Sequence, residues 1–136
     1  VNYYTHGTQV TAAHGHLAFY GAYVCLNLAL FTYAMPILKG RDPYNQVLLM
    51  VSFWLMSAGM VFMTFVLTFA GTVQTHLQRV MGIHYMEVQD QIVLFYWMRL
   101  GSGVAVILGV ILFIWATLMP RREVIEPGPV ITHAAE

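Results

Sequence analysis

Apolar residues run through this chain in three long stretches, and the charged residues collect at the breaks between them. No Asp, Glu, Lys or Arg occurs from Val1 to Leu38, from Pro43 to Gln78, or from Leu100 to Pro120. A bilayer-crossing helix needs about 20 predominantly apolar residues, and each window is long enough. The pattern predicts three transmembrane helices, over residues 9–38, 44–73 and 91–119. Pro36 and the "KGRDP" turn close the first, because Pro and Gly interrupt helices and charges need water. Pro43 suits the first turn of the second helix. A polar loop holding His76, Arg79, His84, Glu87 and Asp90 separates the second span from the third. The tail 123–136, with Pro127 and Pro129, reads as a disordered cytoplasmic segment.

Composition strengthens the membrane assignment. Hydrophobic residues make up 59% of the chain and charged residues 9%, against roughly 25% charged in soluble domains. A buried soluble core is the alternative, but such cores rarely use three apolar segments of this length. Net charge is zero with His neutral, which argues against nucleic acid as a partner. The single cysteine, Cys25, excludes an internal disulfide framework. The start "VNYYTHGTQ" lacks the basic region of a secretory signal and an initiator Met, so the chain is expected to be a piece of something longer. Lys39, Arg41, Arg121 and Arg122 fall on one side of the spans and Arg79 on the other, which predicts a cytoplasmic C-terminus. Gly101, Ala105 and Gly109 repeat every four residues, a spacing that lets membrane helices approach closely.

The candidate chemistry lies in "TAAHGHLAFYGAY", Thr11 to Tyr23. A helix turns about 100° per residue, so His14 and His16 point about 200° apart and cannot readily share one ion. Each imidazole needs its own partner, because an unpaired polar ring in hydrocarbon is costly. Ionisable side chains inside a span mark function by default. Haem iron suits neutral imidazole; a proton relay and plain interhelical hydrogen bonding are the other two readings. Gly15 and Gly21 leave room for a macrocycle, Ala12, Ala13 and Ala18 keep the surface small, and Phe19, Tyr20 and Tyr23 offer flat apolar walls. Aromatic residues at helical spacing are more often ordinary packing, so these neighbours favour haem without deciding for it.

The string "HGTQVTAAHGHLAFYGAY" (His6 to Tyr23), with "TVQTHLQRVMG" (Thr72 to Gly82) and "FYWMRLGSG" (Phe95 to Gly103), resembles the haem-copper oxidase superfamily, and within it the large, cytochrome b subunit of bacterial nitric oxide reductases. The resemblance covers nearly the whole chain. It implies an all-α membrane protein, with these three helices forming the C-terminal part of a twelve-helix bundle in the bacterial inner membrane. It implies that His14 ligates the iron of a high-spin haem b3 and His16 that of a low-spin haem b. It further implies that His6 and Arg79 approach haem propionates, a solvated role being the alternative for each. If the helix reached back to His6, that residue would stand about 80° around from His14. Arg99, some eight residues and roughly 12 Å inside the third span, must pair or snorkel. His76, His84 and His133 read as exposed, and Glu87 and Asp90 as solvated.

The implied reaction joins two nitric oxide molecules, with two electrons and two protons, into nitrous oxide and water. It needs a non-haem iron and a second low-spin ligand, both supplied in the family by earlier helices, so these residues alone should be inactive. The implied partners are the rest of the large subunit, the bilayer and, for the two-subunit type, a membrane-anchored cytochrome c subunit; a single-chain quinol-dependent type is the alternative electron route. A cbb3-like terminal oxidase and a haem-free helix bundle or transporter are the alternatives.

Overall fold

A computed structural model of the chain describes residues 2–39 and 45–118. Gly40 to Pro43 of the expected turn, and with them Arg41, lie outside the described residues, as do Arg121, Arg122, His133 and the tail. All described elements are helical. Three helices are long and apolar enough to cross a membrane: Gln9–Leu38, Gln46–Val80 and Val93–Leu118.

A single turn, α1 (Asn2–Thr5), leads into the first span. Gly7 takes φ +77° between them, a conformation that suits a residue without Cβ. The first span is α2 (Gln9–Ala18), a π-helical segment (Phe19–Val24) and α3 (Cys25–Lys39) in unbroken succession. The Cys25 N–H reaches back five residues to the Tyr20 carbonyl within the π segment. Such segments insert a residue into the helical register and recur at functional sites. Pro36 lies inside α3, three residues before its end.

The second span, α4 (Gln46–Thr75), begins at Asn45, whose side chain accepts the Leu48 N–H at 3.2 Å. This Asn cap is the local start signal. At its other end the helix outlasts the predicted Val73. Thr75 returns its hydroxyl to the Gly71 carbonyl at 2.7 Å, and Gln74 is 1% exposed with its amide bonded to another helix. With Gln74 Oε1 and the Thr75 hydroxyl bonded, these residues sit in a helix without need of a loop. The helix then runs into a second π segment, His76–Val80. Gly82, at φ +69°, lets the Ile83 N–H turn back to the Leu77 carbonyl.

The expected polar loop is thus largely helical. His76 and Arg79 sit in the π segment, and Glu87 and Asp90 in α5 (Tyr85–Gln91). The ring of His84 caps α5 by accepting the Met86 N–H at 3.4 Å. A break at Ile92, φ −103° and ψ 9°, separates α5 from the third span, α6 (Val93–Leu118).

The central helix is α4, with α2 and α6 packed on it. The core joins Ala13 and Tyr20 of the first span to Met56, Met60, Met63 and Leu67 of α4. Small residues set the closest approaches. A methyl on Gly109 would collide with Met56, and one on Gly59 would come within 3.1 Å of the Ser102 carbonyl. Of the predicted stripe, Ala105 and Gly109 face α4, whereas Gly101 is exposed. Beyond the π segment α3 has no comparable contact with α4. A 660 Å³ apolar cavity opens there, lined by residues that include Cys25, Leu28, Met56 and Phe113.

Candidate haem-ligand helix

The histidines sit on α2, and α4 decides what each can reach. Ala13, 2% exposed, marks the side of α2 pressed against α4. At about 100° per residue, His14 stands about 100° from that side and His16 about 60° from it in the other direction. Burial agrees: His14 is exposed and His16 half-buried. The two rings therefore leave the helix on opposite flanks of the α2–α4 contact. Gly15, between them, faces away from α4, with nothing within 4 Å of where a Cβ would stand.

His16 is oriented by its own helix. Its Nδ1 lies 2.8 Å from the Ala12 carbonyl oxygen one turn earlier. A carbonyl only accepts, so Nδ1 carries the hydrogen of this bond, and the neutral ring keeps its lone pair on Nε2. A backbone carbonyl on the far nitrogen is the usual support of a metal-ligating histidine. His14 makes no hydrogen bond among the described residues. A free lone pair on Nε2, a supported ring and a glycine-wide gap fit the flat face of a macrocycle. No group of three His, Cys, Asp or Glu residues converges on a metal position among the described residues.

The supporting residues are placed differently from the sequence expectation. His6 is exposed in the turn before α2, and the helix does not extend back to it. Gly7 and the extended Thr8 break the path, so the 80° relation to His14 does not hold. Arg79 is helical rather than in a loop, and exposed. Arg99 is half-buried, six residues after the start of α6, and neither arginine forms an ion pair among the described residues.

Sequence inspection passed over two polar pairings. Tyr20 and Ser57 share a hydrogen bond of 3.0 Å between the first span and α4. Gln9 is held by Gln74 and Tyr96, at 3.0 and 3.1 Å, and Tyr96 donates to the side chain of Gln89. Their signal was the presence of amides and hydroxyls within otherwise apolar windows, since such groups must find partners.

Residues 1–105 match the family described as Cytochrome C and Quinol oxidase polypeptide I. The chain belongs to that family. It is also 43% identical over 124 residues to a subunit of the nitric oxide reductase of Stutzerimonas stutzeri, a match that covers 85% of this chain and 26% of the relative. The chain spans about a quarter of the length of the curated relative it matches. The resemblance read from the histidine helix is met by both comparisons. This is a membrane protein of the haem-copper oxidase type.

Proposed function

We propose that this chain is part of the large subunit of a bacterial nitric oxide reductase and that α2 supplies one axial ligand to each of two haems. His14 takes the high-spin haem b3 and His16 the low-spin haem b. The observation that carries this is the disposition of the two rings. They leave α2 on opposite flanks of a side closed by α4, and one of them is fixed at Nδ1 by a backbone bond that leaves Nε2 free to ligate. A shared ion would require the rings to converge. A purely structural pair would require both rings to be bonded to neighbouring helices.

Haem would supply one-electron chemistry at this point, and the protein residues do the rest. Ala12 holds the His16 ring in one tautomer and orientation. Gly15 gives an uninterrupted covalent link of one residue between the two ligands, a short route for an electron. The apolar α2–α4 core, with Ala13 and Leu67 at 2% and 0% exposure, keeps water away from the side between them.

The relative's name and the family resemblance support the rest of this reading. The whole subunit reduces nitric oxide to nitrous oxide, with a non-haem iron and the second low-spin ligand on helices beyond these residues. Electrons enter from a membrane-anchored cytochrome c subunit, in the inner membrane, with the C-terminus cytoplasmic. Arg79, in the π segment that follows α4, is the residue suited to a haem propionate, because guanidinium pairs bidentately with carboxylate.

Visible and electron paramagnetic resonance spectra of the complete subunit test the ligand assignment. His16→Ala should abolish the low-spin haem signal and keep the high-spin one. His14→Ala should do the reverse. Wild-type spectra from both variants would sink the proposal.

A further inference from the structure

We infer that Gln74, with the hydrogen-bonded clasp around Gln9, sets the register and tilt of the histidine helix, so that Gln74 is a positioning residue for the ligand imidazoles. This rests on the ligand assignment above. The start of α2 lacks a side-chain cap of its own. Thr8 occupies the N-cap position, yet its hydroxyl donates to the Thr5 carbonyl at 2.7 Å and caps nothing in α2. The first N–H groups of a helix have no partner within it. The N–H of Gln9 is satisfied from another span, by Oε1 of Gln74 at 3.0 Å. Gln74 is 1% exposed, so its amide has no water as a substitute.

The side chain of the same Gln9 runs to the third span. Its Nε2 donates to the Tyr96 hydroxyl at 3.1 Å, and Tyr96 in turn donates to Gln89. All three spans thus meet at one residue. Next to it, Gly71 lies one turn before Gln74 on α4, where an added methyl would strike the Val10 backbone. Sliding α2 by one helical turn, about 5.4 Å, would break both bonds of Gln9 and drive Val10 off the glycine. In apolar surroundings the broken groups find no replacement partner. The clasp therefore permits one alignment of α2. His14 and His16 follow about 7.5 and 10.5 Å further along the same rigid helix, and a tilt at Gln9 reaches both irons as a change of imidazole orientation.

The test is made on the complete, membrane-embedded subunit. Gln74→Leu removes the acceptor at similar volume. Gln74→Glu keeps a carbonyl acceptor, because a carboxyl buried there stays protonated. The Leu variant should hold the wild-type amount of haem per protein while its low-spin absorption band and paramagnetic resonance positions shift, and the Glu variant should restore them. Tyr96→Phe cuts only the third-span arm and should move the same signals in the same direction by less. It decides the matter if Gln74→Leu does not accumulate. Wild-type spectra in Gln74→Leu, or in Tyr96→Phe where that variant must serve, overturn the inference, as does an equal shift in the Leu and Glu variants. His16→Ala runs alongside. If it keeps the low-spin signal, the ligand assignment falls. If it loses that signal while Gln74→Leu changes nothing, only the positioning role falls.

Discussion

Gly71 of α4 lies against the Val10 backbone of α2, closer than any side chain would permit. The obstruction is main chain, which cannot swing aside as a flexible side chain does. Gly71→Ala should therefore separate the two helices where the histidine helix begins. Overpacking of a fitted interface costs typically about 1–3 kcal/mol, and backbone contact places this change at the upper end. Thermal unfolding of the detergent-solubilised subunit should show the loss. An unchanged melting temperature would show that α2 and α4 do not approach so closely.

On the other side of α4, Gly109 is seated against Met56 and the Ser52 carbonyl. Gly109→Val should push α6 away, again by about 1–3 kcal/mol. Replacing Gly103, whose nearest neighbour is the terminal methyl of Met63 at 3.6 Å, with Ala should cost clearly less. Equal melting temperatures for the two variants would contradict this packing.

Tyr20 and Ser57 are bonded at 3.0 Å, one turn beyond His16 along the first span. Hydrogen bonds between membrane helices contribute about 0.6 kcal/mol on average and up to about 1.7. A double-mutant cycle of Tyr20→Phe and Ser57→Ala should return a coupling in that range. A coupling of zero would mean that the hydroxyls do not meet.

The histidine pair was legible without coordinates for a simple reason. Two imidazoles two residues apart in a charge-free window diverge on any helix, whatever surrounds it. Which flank each would occupy was not legible. That depends on Ala13 and Tyr20 being the residues that α4 covers, and the polar residues of α2, Gln9, Thr11, His14 and His16, fall on two opposite sides of the helix and so mark no packing side. The misplacement of His6 has a local cause, because Gly7 and Thr8 end the helix before reaching it. The end of α4 was misjudged for a distant one. "GTVQTHLQR" is polar enough to read as loop, and only Gln9, 65 residues away in sequence, makes Gln74 at home in a helix.

What the sequence determined alone is the solvent of each segment: three windows without charge are committed to the bilayer by the cost of placing ions there. It also determined that His14 and His16 point apart, because helical geometry is local. The tertiary structure decided which small residues became contacts, which amides found partners, and where α2 stands along α4. Those outcomes depend on pairings between residues far apart in the chain. A helix that is apolar on every side carries no mark of which side will meet lipid and which will meet its neighbour.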